Sequence, residues 1–350
     1  MIVSFSDIEI KAIAAALPLN SVECSSFSDI FGEEEVKRII AKSGIERVRV
    51  VPPEVCVSDL CVVAAENLCE NMALDRSSID GIVFVSECPD YQFPATSVIL
   101  QHRLKLSNNI AAIDINHGCS GYIYGLYQAA MMIKAGGCRR ILLLVGDAIS
   151  PLIHPGDRTL RMIVGDAGSA TLVEGGVGRM SFHIKTDGSA YMHFIRPAGG
   201  ARNPFSPETS IEHKDADGNT RTENNVYMNG YEIMNFVLRE VPGTIEAVLK
   251  ESGWRKAEVD TFALHQASKF ILEQLTLLMK LEPESVPMTM VNTGNAGCAS
   301  IPLLLSSRYS RPNNVSRLRR VVMSGFGTGL SVGAVTADLS CTTIIAPVEV

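Results

Sequence analysis

Apolar and polar positions fall into blocks whose period changes along the chain. Residues 110–115 form a short apolar run of strand length. The segment that follows, 121–134, places Ile123, Leu126, Tyr127, Ala130 and Met131 at helical spacing. The same succession returns later. Residues 262–264 are a brief apolar run, and 267–280 set Phe270, Ile271, Gln274, Leu275 and Leu278 on one helical face. Apolar strands without polar alternation are buried on both sides, so this strand–helix alternation predicts largely parallel sheets covered by helices. The stretch 202–225 lacks apolar periodicity and carries SPET, DADGN and TENN, which predicts a surface excursion; an ordered flap near a pocket is the alternative.

The blocks also repeat. Residues 78–87 resemble 258–266, with Asp80 matching Asp260; 113–120 resemble 289–296, with Asn116 matching Asn292; 139–146 resemble 319–326. Three matches in one order at offsets of 180, 176 and 180 predict a duplication, with α/β halves at 1–180 and 181–350 packed together.

Composition narrows the class. The 350 residues are 46% hydrophobic and 20% charged, an ordinary globular balance that excludes a disordered or fibrous chain. A net charge of −7 argues against a nucleic-acid partner, which would require a basic face. The start has no basic segment leading into a long apolar one, and the apolar runs are too short to span a bilayer, so no membrane association is expected. Nine cysteines, an odd number with no pair at CxxC spacing, predict neither a zinc site nor a disulfide framework. A cytoplasmic location follows.

One cysteine stands apart. Cys119 ends a strand and opens a helix between Gly118 and Gly121, where amides and the helix dipole are expected to depress a thiol pKa. The bland alternative is a buried structural cysteine, the reading kept for the other eight. The repeat sets Cys119 opposite Asn295. His265 directly follows the apolar triplet 262–264, the kind of strand end where open α/β sheets bind ligands. A lone histidine there is commonly a satisfied hydrogen-bonding group; its pairing with Cys119 and Asn295 favours catalysis. His117 is expected to hydrogen-bond or pack locally. Gly165–Ala170 reads as a structural turn. The glycine-rich stretch 325–333 lacks the GKS/T that a phosphate cradle needs; its alternative is a loop whose amides approach a reacting carbonyl.

At these residues the chain resembles the thiolase superfamily, and within it beta-ketoacyl-ACP synthase III. The matching stretches are GCSGYIYGL, GDAGSATLV, ALHQAS, NTGNAGCASIPLLL and GFGTGLSVG, across roughly residues 40–340. The resemblance implies a five-layered α/β/α/β/α fold, a homodimer and a cytoplasmic acyltransferase of fatty acid or specialised acyl biosynthesis. Cys119 would take an acyl group as a thioester. His265 and Asn295 would hold a malonyl thioester as it loses CO₂. The amides of Cys119 and Thr328 would form the oxyanion hole, with Gly327 and Gly329 beside the substrate. Phe93 would reach the partner subunit's acyl pocket, and Arg158 would contact the donor. Thioesters of acyl carrier protein, or of coenzyme A, are then substrates, with no resident cofactor and no metal.

The chain departs from that pattern in places. Arg38 stands where an aromatic residue would stack on adenine, and Ser268 and Phe270 replace polar or basic contacts, which turns the expectation toward a carrier-protein donor. The loop reads Gly-Thr-Gly instead of all glycine. The first rival is a hydroxymethylglutaryl-CoA synthase-like enzyme using Glu87 as acid/base, against Glu87 as a strand-end polar residue. A cysteine peptidase and a non-catalytic partner subunit are the others; the first fits neither the absence of disulfides nor the position of the cysteine, and the second does not fit three retained polar residues.

Overall fold

The structure, a computed structural model, describes the chain except for Ala216, residues 312–314 and Ser316. The strands used below are β1 (Ile2–Leu17), β2 (Gly81–Val85), β3 (Ala111–Ile115), β4 (Arg140–Asp147), β5 (Ala167–Thr186), β6 (Thr261–Leu264), β7 (Val321–Gly327) and β8 (Ser331–Ala337). The helices are α1 (Glu33–Ser43), α2 (Val57–Asn71), α3 (Thr96–Arg103), α4 (Gly121–Lys134), α5 (Gly230–Ser252), α6 (Lys269–Met279) and α7 (Ser300–Tyr309).

One ladder runs β6-β7-β8-β5-β4-β2-β3, with β1 along β5. β2 is parallel to β3 and β4, and β6 is parallel to β7. β5 is antiparallel to β1, β4 and β8, so the expected largely parallel sheets are mixed. The reason is local: three residues join β7 to β8, too few for the crossover that parallel strands need. β4 pairs with the first part of β5 and β8 with its last part, so this 20-residue strand carries the ladder from one lobe into the other. Position 180 lies inside it.

Alternating side chains turn the ladder into layers. Ile82, Phe84, Leu142 and Leu144 face outward onto α2. Their neighbours Val83, Val85, Leu143 and Val145 face inward with Ile123 and Leu126 of α4 and Leu304 of α7. Met323 and Val335 of the second lobe meet the same inner core, while Phe262, Leu264 and Val322 pack outward on α5 and α6. The order is helix, sheet, helix, sheet, helix. β3 is partly exposed, whereas β2, β4, β6, β7 and β8 are covered on both sides, which is why their sequences lack polar alternation. A Leu-to-Ala change in such a strand costs about 2–5 kcal/mol.

The duplication reaches individual hydrogen bonds. Asp80 Oδ2 accepts from the amides of Arg139 and Arg140 at 2.8 and 3.1 Å. Asp260 Oδ2 accepts from those of Arg319 and Arg320 at 2.9 and 2.8 Å. The residues that matched by sequence therefore perform the same task, anchoring the start of one strand to its parallel neighbour.

Candidate active site

The turns that leave β3, β6 and β7 converge on one cavity of about 590 Å³, lined by Cys119, His265, Asn295, Phe326 and Gly327 among others. Cys119 stands just before α4 and is 6% exposed. Gly327 passes so close that a Cβ there would lie 2.8 Å from Cys119 Cβ and 2.9 Å from Sγ. Its φ of +152° also disfavours any side chain. Gly325 has the same constraint against the Cys119 carbonyl oxygen, 2.6 Å from its would-be Cβ. The glycines thus bring the β7 turn onto the cysteine.

The expected depression of the Cys119 pKa is not found. Burial, with the negative charges of Glu87 and Asp147, pushes the thiol up to about 12, against the pull of the Thr328 amide and hydroxyl. Desolvation of a thiolate outweighs the start of α4 here.

His265 is 1% exposed and lies edge-on to Phe326, ring centroids 5.4 Å apart. Ser300 Oγ is 2.7 Å from Nδ1 and also accepts the Gln266 amide at 3.4 Å. With Ser300 as the donor of that bond, the ring hydrogen sits on Nε2 and the neutral imidazole is a donor. Burial lowers its pKa to about 3, opposed by the Gly297 carbonyl, so it stays neutral at ordinary pH. Asn295 is oriented by its own loop. Oδ1 accepts from the Gly297 amide at 3.1 Å, which leaves Nδ2 as the free donor. Its backbone bonds Ile163 and Gly165, at 2.8 and 3.0 Å, brace it against the GDAGS segment.

The described residues of 202–225 lie largely at the surface, as expected, and part of the stretch is also a flap at the cavity. His213–Lys214 pairs with Thr220–Arg221, and Asp215, Asn219 and Arg221 line the cavity. Their polar groups bind one another instead of water: Arg221 Nε donates to Asp157 Oδ2 at 2.5 Å, and its Nη1 to Asp215. At the rim, Arg38 is held in two bonds by Glu35 at 2.8 and 2.7 Å, and Lys42 Nζ lies 5.3 Å from the centre of the Phe270 ring. Arg158 stands beside the cavity, bonded to the Asp217 carbonyl and 3.3 Å from Glu35, but does not line it. Phe93 is 83% exposed and outside the cavity.

Thr328 lies between Cys119 and Glu87. Its hydroxyl donates to Glu87 Oε2 at 3.4 Å. Glu87 is packed against Gly118 and does not line the cavity, so it is not placed to touch a ligand there. Gly329 follows in the same turn, and its would-be Cβ meets Ser331 at 3.3 Å. His117 bonds locally, as expected, with Nδ1 3.2 Å from Ser120 Oγ and its ring 3.9 Å from that of Tyr124. Sequence reasoning missed Ser300 and held the flap only as an alternative. No spacing rule links Ser300 to a histidine 35 positions earlier.

Comparison with known proteins follows from this geometry. The model of the 3-oxoacyl-[acyl-carrier-protein] synthase III C terminal matches residues 249–339, which hold His265, Asn295 and Thr328. A second model, 3-oxoacyl-[acyl-carrier-protein] synthase III, matches 113–188, which hold Cys119. The chain is 30% identical to the beta-ketoacyl-[acyl-carrier-protein] synthase III of Syntrophomonas wolfei, over 94% of this chain and 96% of that one. It is 30% identical to that of Caldanaerobacter subterraneus, over 84% and 86%. A 3-oxoacyl-(acyl-carrier protein) synthase from Burkholderia xenovorans superposes with a TM-score of 0.93 at 32% identity, covering 100% of this chain and 99% of the other.

Proposed function

The chain belongs to the 3-oxoacyl-[acyl-carrier-protein] synthase III family of condensing transferases, and from that premise we propose how its residues divide the reaction. Cys119 accepts an acyl group from a thioester and releases the free thiol. A malonyl thioester then enters, and the Nε2 hydrogen of His265 and the Nδ2 amide of Asn295 hold its thioester carbonyl as CO₂ leaves. Neutral donors favour the enolate without protonating it. The enolate carbon attacks the acyl-Cys119 carbonyl, whose oxyanion is received by the Cys119 and Thr328 amides. The observation that carries this reading is the meeting of Cys119, His265 and Asn295 on one cavity, each with its free atom fixed by a hydrogen bond or a close backbone approach.

The acyl donor we assign is a carrier protein, ahead of coenzyme A. Arg38 is paired with Glu35 and Lys42 covers one face of Phe270, so the rim presents charge where an adenine would call for an open aromatic ring. Gly327 and Gly329 border the bound thioester, and Arg158 acts from the rim through the Asp217 backbone. The thioesters are substrates, and the chemistry calls for no resident cofactor. The functional form is a homodimer in the cytoplasm. β3 pairs with β2 alone, leaving an open edge for a second copy, and exposed Phe93 reaches toward the partner's acyl pocket. Nine free cysteines suit a reducing compartment. No helix among the described residues is long and apolar enough to cross a membrane.

Intact-protein mass spectrometry after incubation with acyl-CoA and acyl-carrier-protein panels tests the assignment. The added mass belongs on Cys119, is absent from Cys119→Ser, and names the acyl group. Label on another residue refutes it. Release of CO₂ from the malonyl thioester separates this chemistry from the hydroxymethylglutaryl-CoA synthase-like alternative, in which acetyl-enzyme condenses with acetoacetyl-CoA and no CO₂ leaves.

A further inference from the structure

Behind Cys119 lies a carboxyl that the condensation does not use. Glu87 follows β2, and its Oε2 is pressed against the backbone of Gly118, where a Cβ would collide with it. Thr328 bridges this carboxyl and the sulfur. Its hydroxyl donates to Glu87 Oε2 at 3.4 Å, and the Thr328 amide and hydroxyl draw the Cys119 pKa down against burial. The absence of a side chain at Gly327 is what lets Thr328 come this close, with 2.9 Å between the would-be Cβ and Sγ.

Acylation needs somewhere for the thiol proton to go. Burial keeps Cys119 a thiol at neutral pH, its pKa pushed up to about 12. His265 is a poor acceptor: burial lowers its pKa to about 3, so its imidazole does not hold an extra proton at neutral pH.

We propose that Cys119 is ionised by a relay through the Thr328 hydroxyl to the Glu87 carboxylate. The S–H bond breaks as Thr328 Oγ1 takes that proton, and the hydrogen Thr328 held passes to Glu87 Oε2. The thiolate is left accepting from the Thr328 hydroxyl and amide together. When the sulfur attacks the incoming thioester, the departing thiolate takes the proton back along the same path, so the cycle is neutral. Thr328 is the group that touches the reacting sulfur; Glu87 acts through it. Burial, then the facing carboxyl of Asp147, raises the Glu87 pKa to about 8, the range in which a carboxylate becomes an effective proton acceptor near neutral pH. Asp147 at the end of β4 is the charged group facing Glu87 among the described residues; its Oδ1 accepts the Glu87 amide at 2.9 Å. Cys119 and Thr328 close the other sides.

This relay rests on Cys119 being the nucleophile. The test is the pH dependence of iodoacetamide alkylation and of acyl transfer, each read at Cys119 by peptide mass spectrometry. In the wild type the logarithm of the alkylation rate bends near the Glu87 pKa. Thr328→Val keeps the amide but loses the hydroxyl, and is expected to slow both reactions at least tenfold at pH 7. Thr328→Ser recovers most of the rate. Glu87→Gln slows them by a similar factor, and the double variant is no slower than either single one, because both break one path. Thr328→Val within twofold of wild type, or losses that multiply in the double variant, overturn the relay. If valine or glutamine unfolds the chain, the wild-type profile decides: a rate rising without a bend past pH 9 overturns the relay. Label on a cysteine other than Cys119 instead defeats the nucleophile assignment, so the two failures are distinct.

Discussion

Asn295 separates the two half-reactions, because the structure fixes both ends of its amide. Oδ1 is spent on the Gly297 amide at 3.1 Å, and only Nδ2 is left for a substrate. Asn295→Ala removes that donor and strands the Gly297 N–H in a buried turn, which costs about 1–3 kcal/mol of stability. Asn295→Asp keeps an acceptor for Gly297 and so keeps most of that stability, but it places an anionic oxygen where the donor stood. One oxyanion-type donor is worth about 2.7–4 kcal/mol, a factor of about 10²–10³ in rate. Both variants should lose at least that factor in malonyl decarboxylation, and Asp should lose more than Ala because its charge opposes the enolate. Acylation of Cys119 should stay within about threefold, since no step of the first transfer uses Nδ2. Labelled CO₂ release is measured beside acyl-enzyme formation by mass spectrometry, with urea unfolding as the control. Equal loss of both steps, or an Asp variant that decarboxylates better than Ala, would refute the reasoning.

Gly327→Ala combines a strained positive φ with a methyl group 2.9 Å from Sγ. It should cost about 2–4 kcal/mol in urea unfolding, together with most of the acylation rate. His265 has a folded pKa of about 3, below the usual histidine value, so as pH falls the unfolded chain takes up the proton first. Its contribution to stability is full above about pH 6.5 and declines as the pH falls toward 3. The stability advantage of wild type over His265→Gln should therefore shrink between pH 7.5 and pH 5, by about 1–2 kcal/mol in urea melts, while decarboxylation shows no imidazole inflection in that range. The donor assignment predicts faster acylation from acyl carrier protein than from the same acyl-CoA, with the carrier reaction weakening as salt rises. Initial rates at matched donor concentration and two ionic strengths check it; faster, salt-insensitive acylation by the coenzyme A thioester would reverse it.

The layers were legible because each depends on local pattern. Val83 and Phe84 belong to opposite cores, and a run apolar at both positions announces a strand covered twice. The repeat was legible because Asp80 and Asp260 perform one task on matching backbones. The flap was legible only as an alternative, because Arg221 pairs with Asp157, 64 positions earlier, as well as with Asp215, and a stretch whose polar groups find such partners has the composition of one that faces water. The thiol was misjudged for a related reason. Its place at the start of α4 is visible in the sequence, whereas its burial and the nearness of Glu87 and Asp147 are products of long-range packing.

The cavity lies where the two lobes meet, so the duplication alone does not set the geometry between Cys119 and Asn295. Beside the backbone bonds of Asn295 to Ile163 and Gly165, a single buried carboxyl ties the lobes together. Asp147 ends β4 in the first lobe, and its Oδ2 accepts the Cys298 amide at 2.9 Å from the turn that follows Asn295. Its Oδ1 accepts the Glu87 amide at 2.9 Å, in the turn behind Cys119. Gly297 lies against the same carboxyl with no room for a Cβ. One side chain therefore holds the asparagine turn and the glutamate turn in fixed register across the lobe boundary. A charge there is costly to bury, and burial raises the pKa of Asp147 despite its backbone bonds. The same carboxyl raises the pKa of Glu87 and of the Cys119 thiol. Burial is what chiefly makes a free thiolate at Cys119 expensive, and the residue that aligns the two halves adds to that cost, so a relay to Glu87 answers a difficulty to which the alignment contributes.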